Sequence, residues 1–198
     1  MDTGGINVLT LEQIDENKQK YLTLLSHLNV DLTELWTYLE AVDFFHAPYS
    51  CYYKSYQGGL CEYSLQLLHE LIKLADFYFQ GSYKEEDFIK VALLGNIYRA
   101  ELYEPYMKNV KDETGEWKQV LAYRYREKRA TYGDIGFSSF MTARHFLDFT
   151  DEQVEAITQS NTKNDYSGDI YDIYRSYPLV VLIKMASLAV LSFQGDEK

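Results

Sequence analysis

The best candidate for a functional site is the stretch of residues 91–99, Val-Ala-Leu-Leu-Gly-Asn-Ile-Tyr-Arg. It is an apolar run, typical of a buried helix, and Gly95 and Asn96 interrupt it. A buried amide is costly unless its polar atoms find hydrogen-bond partners. Asn96 therefore needs partners or a binding role, and Arg99 brings a cation to the same stretch.

The other reactive side chains form no catalytic pattern, so we predict that the protein is not an enzyme. Cys51 and Cys61 lack the Cys-x-x-Cys spacing of a redox or zinc motif. No glycine-rich phosphate loop follows a predicted strand, and the paired acids fall in predicted caps or turns. We expect structural or surface roles for all the histidines, which are His27, His46, His69 and His145.

Length and composition are those of one acidic domain. The chain has 198 residues and a net charge of −11. Such a charge either keeps the protein soluble or imitates a polyanion such as DNA. In both cases it disfavours direct binding of nucleic acid. The longest apolar run, Pro178 to Phe193, is short for a membrane span and contains Lys184. With no leader at the N-terminus and no disulfide framework, we expect a cytoplasmic protein that does not bind membranes.

Local signals predict helices with one small hairpin. Helix-capping patterns occur at Thr10–Gln13, Asp31–Glu34, Ser82–Glu85 and Thr150–Gln153. Leu32, Leu35, Trp36 and Leu39 fall on one face of the second helix. Residues 47–59 form a loop before a long helix. Residues 109–117 form a strand, turn and strand, and residues 120–126 alternate as the second arm of a hairpin should. Residues 137–149 form a helix. Pro178 opens the apolar C-terminal helix.

The apolar run resembles the signature helix of the HD-domain phosphohydrolases of the phage type. In that family the run ends in adjacent His and Asp, with a Lys three residues after the Asp. The resemblance extends from about Phe44 to Phe193, and its other motifs are Ala47-Pro48 followed by residues 52–64, residues 117–123 and residues 178–183. It implies an all-α (mainly helical) HD-domain-like bundle with one small β-hairpin. The whole chain, 1–198, would be one domain with N-terminal helices in 1–43 and an HD-like core in 44–193.

The same resemblance implies that the metal site has been lost. The positions of the family's metal ligands hold Tyr53, Tyr63, Gly95, Asn96, Ile135, Ser160, Lys184 and Ser187. These side chains cannot rebuild a shell of imidazole nitrogens and carboxylate oxygens. Without a metal ion there is no activated water for phosphoryl chemistry. We therefore expect a pseudoenzyme with no catalytic residues, no metal and no cofactor.

Cations and aromatic rings remain at the former active site. Arg99 retains the positive charge of the motif, and a guanidinium can hold phosphate in a bidentate way. The predicted ligand-binding residues are Tyr53, Lys54, Tyr56, Tyr63, Asn96, Arg99 and Lys184. In the alternative, Arg99 and Lys184 pair with internal carboxylates such as Glu101, Glu104 or Asp172.

Two functions are compatible with these features. In the first, the protein binds a phosphate-bearing nucleotide without hydrolysing it, as a viral protein that sequesters a host immune nucleotide signal in the host cytoplasm. In the second, it is an acidic protein-interaction module or inhibitor, in one version a DNA mimic, that binds a host protein. The sequence leaves the ligand, the partner and homo-oligomerisation open.

Overall fold

A computed structural model describes residues 8–79, 81, 83–127, 133–161 and 168–193. The chain is mainly helical with one two-stranded antiparallel sheet. The helices are α1 Leu11–Ser26, α2 Thr33–Ala41, α3 Gly59–Phe79, α4 Glu85–Leu94, α5 Ile135–Ala143, α6 Asp151–Gln159, α7 Gly168–Ser176 and α8 Pro178–Phe193. Two short 3₁₀ helices are Phe44–His46 and Ile97–Glu101, and the strands are β1 Tyr103–Lys111 and β2 Trp117–Tyr125.

The core forms around α3 and α4. Helix α3 packs against α8 and α4, and α6 packs against both α4 and α8. From Phe88 to Leu94, α4 is buried at every residue, as expected for a helix covered on all sides. The predicted buried helix is therefore present, but it ends at Leu94. The polar residues Gly95 and Asn96 form a turn between α4 and the 3₁₀ helix that carries Arg99.

Two of the predicted helix caps are confirmed. Thr10 and Gln13 form a reciprocal capping box, in which the Thr10 amide donates to Gln13 Oε1 at 2.8 Å and the Gln13 amide donates to Thr10 Oγ1 at 3.2 Å. Thr150 and Gln153 form the same box at the start of α6, at 3.0 and 3.3 Å. Both pairs are local in sequence, so the contacts that define them could be predicted from the sequence.

The other capping patterns differ from the prediction. Helix α2 begins after Leu32, and Asp31 Oδ1 accepts from the amide and the hydroxyl of Thr33, so the predicted Asp31–Glu34 capping box is wrong. Ser82 lies outside the described residues, and α4 has Lys84 at its N-cap, whose amide donates to Asp87 Oδ2 at 2.9 Å.

Two further expectations need correction, and one helix was not foreseen. Trp36 is exposed, although Leu32, Leu35 and Leu39 on its helix are buried. The helix predicted over 137–149 is α5, and it ends at Ala143. Helix α7 is not among the predicted elements, because its sequence is mostly polar and no capping box precedes it.

The first strand of the hairpin begins at Tyr103, earlier than the predicted start at residue 109, and the second strand ends at Tyr125. Its register pairs Tyr103 with Tyr125 at the base and Lys111 with Trp117 near the turn. Asp112 Oδ1 accepts hydrogen bonds from the amides of Thr114 and Glu116 and from the Thr114 hydroxyl, which fixes the turn. Gly115 has φ of +84°, a conformation that favours glycine.

In the described part of the chain, no single helix has the length and apolarity to cross a membrane. Helices α7 and α8 together are long and apolar enough for a span, but the chain bends by 103° between them.

Candidate functional site

Two polar side chains enter the core directly after α4. The turn at Gly95 and the 3₁₀ helix that follows place Asn96 and Arg99 one turn apart, with only 3% and 7% of their surfaces exposed. Arg99 Nε donates to Asn96 Oδ1 at 2.8 Å. This contact gives Asn96 the partner that its burial requires.

The loop before α3 encloses the Arg99 guanidinium. Arg99 Nη1 donates to the backbone oxygen of Tyr49 at 3.2 Å, and Nη2 donates to the Tyr49 hydroxyl at 3.1 Å. The guanidinium carbon also lies 4.0 Å from the centre of the Tyr49 ring, within the range of a cation–π contact. Tyr49 therefore binds Arg99 with its backbone, its hydroxyl and its ring.

The end of α6 supplies the remaining partner. Arg99 Nη2 donates to Asn161 Oδ1 at 3.1 Å. The Asn161 amide nitrogen donates to Ser160 Oγ at 3.0 Å and lies 3.5 Å from Asn96 Oδ1. We call Arg99, Asn96, Tyr49 and Asn161 the Arg99 cluster. It joins the loop after Pro48, the turn after α4 and the end of α6.

All described acceptors of Arg99 are neutral oxygens. They belong to two amide side chains, one phenol and one backbone carbonyl. Of the carboxylates predicted as internal partners, Glu101 accepts from the Tyr38 hydroxyl at 2.6 Å. Glu104 pairs with Arg124 at 2.8 Å, and Asp172 lies 3.9 Å from Arg175. Within the described ranges Arg99 is thus a buried cation without a countercharge, an arrangement that is costly in a protein core.

A stack of tyrosine rings continues from the cluster towards α8. The Tyr49 and Tyr63 rings are 3.9 Å apart at 31°, and the Tyr53 ring meets Tyr49 edge-on at 5.8 Å. The Tyr63 hydroxyl lies 2.8 Å from Ser187 Oγ, and the Tyr53 hydroxyl donates to the Val190 carbonyl at 2.9 Å. Burial raises the pKa of Tyr63 and of Tyr53 above that of an ordinary phenol, so both rings stay neutral.

Lys54 and Tyr56 form a separate group around Glu62. Glu62 Oε2 accepts from Lys54 Nζ and from the Tyr56 hydroxyl, each at 2.6 Å. The Lys54 side chain is only 7% exposed, and its charge is balanced by Glu62. Gly59 at the start of α3 allows this closure, because a Cβ there would clash with the Lys54 carbonyl. The Lys54 ammonium, predicted to bind a ligand, instead anchors the loop through Glu62.

The predicted site residues therefore fall into three places. Tyr63, Asn96 and Arg99 come together around Tyr49, with Tyr53 at the edge of the stack. Lys54 and Tyr56 bind Glu62. Lys184 is half-buried on α8, with its Nζ 5.9 Å from the centre of the Tyr174 ring on α7.

Sequence reasoning did not select Tyr49 and Asn161, which complete the cluster. Both had neighbouring signals. Tyr49 directly follows Ala47-Pro48, and Asn161 directly follows Ser160, two positions that the sequence analysis had singled out.

The donor set at this site does not suit a transition metal. Tyr63, Ser187, Asn96 and Asn161 offer hydroxyl and amide groups, whereas such metals prefer imidazole, thiolate and carboxylate ligands. Among the residues with a described placement, no group of three or more His, Cys, Asp or Glu could hold a metal ion.

Comparison of the chain with protein-family models, with curated proteins and with solved structures finds no match.

Proposed function

We propose that the protein is a catalytically inactive HD-like protein that binds a phosphate-bearing nucleotide at the Arg99 cluster without hydrolysing it. The observation that carries this proposal is the buried Arg99 guanidinium, whose described acceptors are all neutral. Bringing an anion to this cation removes the cost of an uncompensated buried charge.

Phosphate is the anion that the geometry suits best. A guanidinium presents planar, parallel N–H donors that match two oxygens of a phosphate. Asn161 is half-buried at the edge of the cluster, and its Oδ1 occupies an acceptor position at Nη2. A phosphate oxygen that replaces it brings a negative charge to a donor that is already positive, so the new hydrogen bond joins two opposite charges.

The loop that carries Tyr49 supplies a candidate contact for the base. Tyr52 in this loop is almost fully exposed, so its ring face is accessible for stacking. The resemblance to phage-type proteins supports the use proposed for this binding, which is the sequestration of a host immune nucleotide signal.

The test is calorimetric titration of the purified protein with a panel of mono-, di- and cyclic nucleotides, accompanied by assays for their hydrolysis. We expect at least one nucleotide to bind and none to be turned over. Arg175→Gln is the matched control, because Arg175 is an exposed arginine on α7 and its removal should leave affinity unchanged. A panel with no binding ligand, or turnover by the wild-type protein, would contradict the proposal.

A second candidate function is binding of another protein through the hairpin. Met107 and Leu121, which are paired across the strands, are exposed together with Trp117, which is 68% exposed. The two strands carry four basic residues and one acidic residue, although the whole chain is acidic. This combination suits a protein partner with an apolar patch bordered by acids.

The hairpin candidate is tested with the double variant Met107→Ser, Leu121→Ser. It should lose a salt-sensitive complex with an acidic host protein, while Val30→Ser, at an exposed valine outside the hairpin, should retain it. A complex that survives the double variant would exclude this surface. Light scattering would show whether the partner is instead a second copy of the chain.

A further inference from the structure

We infer that the Arg99 cluster prefers a phosphodiester, which carries one negative charge, over a terminal phosphate, which carries two. The ligand class would then be a cyclic nucleotide or a linkage between two nucleotides, rather than a nucleoside mono- or triphosphate. This inference rests on the proposed function and names the ligand of the same site.

The first argument is the charge of the site. Arg99 contributes one positive charge, and its described partners are all neutral. The positive charge of Lys54, which lies in the loop that encloses Arg99, is balanced by the carboxylate of Glu62.

A phosphodiester therefore makes the buried pair neutral. A terminal phosphate carries close to two negative charges above its second pKa of about 6. In this site the second charge would be desolvated without a countercharge, which a protein interior disfavours strongly. The triphosphate chain of a nucleotide would bring still more uncompensated charge into an acidic protein.

The second argument is the number of available donors. A guanidinium has five N–H donors, and the hydrogen bonds of Arg99 to residues that the structure describes use four of them. One donor remains on Nη1, and displacement of Asn161 releases one on Nη2. Two donors match the two non-bridging oxygens of a phosphodiester, whereas a terminal phosphate has three oxygens to satisfy.

The experiment compares ligands that share a base. For each of the four common bases, the 3′,5′-cyclic monophosphate, the 5′-monophosphate and the 5′-triphosphate are titrated into the full-length protein at pH 8. For at least one base, we expect the cyclic nucleotide to bind at least tenfold more tightly than the other two. Lowering the pH to 5 should reduce its advantage over the 5′-monophosphate, because that phosphate then becomes a monoanion.

Two substitutions of Asn161 locate the ligand. Asn161→Asp introduces a carboxylate of nearly the same shape next to Arg99. This carboxylate should pair with the guanidinium in place of the phosphate and abolish binding of the cyclic nucleotide. Asn161→Ala should increase affinity, since no internal hydrogen bond must be broken. Each variant's melting temperature establishes that it is folded, and Arg175→Gln again serves as the unaffected control.

The outcomes separate the two proposals. One outcome is that a 5′-monophosphate or triphosphate binds more tightly than every cyclic nucleotide and fails to bind Asn161→Asp. In that case the preference for a phosphodiester is wrong, and the proposed function stands. If the cyclic nucleotide binds Asn161→Asp as well as it binds the wild type, its phosphate does not contact Arg99. If no nucleotide binds, both proposals fail.

Discussion

Arg99 donates to both the backbone oxygen and the hydroxyl of Tyr49, and its guanidinium lies 4.0 Å from the centre of the Tyr49 ring. The two residues are fifty positions apart in the sequence. The contact connects the loop before α3 to the turn after α4, so Arg99 has a role in folding as well as the proposed role in binding.

Because of this double role, Arg99→Ala should destabilise the protein. The substitution removes four hydrogen bonds, three of them buried, and leaves Asn96 Oδ1 and the Tyr49 carbonyl without this donor. We expect a loss of roughly 2–4 kcal/mol in the free energy of unfolding, measured by urea denaturation. Arg175→Ala, at an exposed arginine, should change it by less than about 0.5 kcal/mol. Equal stabilities of the two variants would show that the Arg99 contacts contribute little.

The hydroxyl pair between α3 and α8 can be measured separately from ring packing. Tyr63→Phe keeps the stacked ring but removes the hydroxyl that lies 2.8 Å from Ser187 Oγ. We expect a loss of about 1 kcal/mol for Tyr63→Phe and a similar loss for Ser187→Ala. The double variant should lose less than the sum of the two, because the same hydrogen bond is removed in each. Strictly additive losses would mean that the two hydroxyls do not interact.

Glu62, which holds the loop before α3 through Lys54 and Tyr56, should contribute to stability, and Glu62→Gln tests this. Glu62 is the acceptor for both Lys54 Nζ and the Tyr56 hydroxyl, and Lys54 is nearly buried. Removing the negative charge leaves the ammonium without its countercharge, so we expect the free energy of unfolding to fall by about 2 kcal/mol. Glu104→Gln breaks the more exposed pair with Arg124 and should cost less than about 1 kcal/mol. The reverse order of the two losses would contradict this role of Glu62.

The hairpin turn predicts a contribution to acid stability. The hydrogen bond from Lys118, followed by that from Thr114, lowers the pKa of Asp112 from 3.8 to about 2. A lowered pKa in the folded state means that the stabilisation is complete above pH 4 and is lost as the pH falls through 2. Asp112→Asn should therefore lose less stability than the wild type between pH 4 and pH 2. Trp117 fluorescence reports on the hairpin, and identical acid transitions for both proteins would refute the prediction.

Helices that begin with a complete local signal could be predicted from the sequence. The Thr10 and Thr150 capping boxes involve residues three apart, and the opening of α8 at Pro178 requires only a fixed backbone angle. Asp31 resembles a cap in sequence, but its oxygen bonds Thr33 two residues on, so the helix begins one residue later. Helix α7 lacks such a signal and was not predicted.

The partners of Arg99 could not be predicted in the same way. Its contacts with Tyr49 and Asn161 span fifty and sixty-two residues and depend on the packing of the whole bundle. One acceptor is a backbone carbonyl, which every residue possesses and which leaves no mark in the sequence. What the sequence did indicate is that Asn96 and Arg99 are polar residues in an apolar stretch, and both are buried.

The most direct measurement is NMR of the arginine side chains in ¹⁵N-labelled protein during titration with a nucleotide that calorimetry shows to bind. The Arg99 Nε–H signal, assigned by its absence from Arg99→Lys, should shift in proportion to occupancy, while the Arg175 signal stays in place. This result would place the ligand phosphate at the buried guanidinium. A saturating nucleotide that leaves the Arg99 signal unmoved would contradict the account.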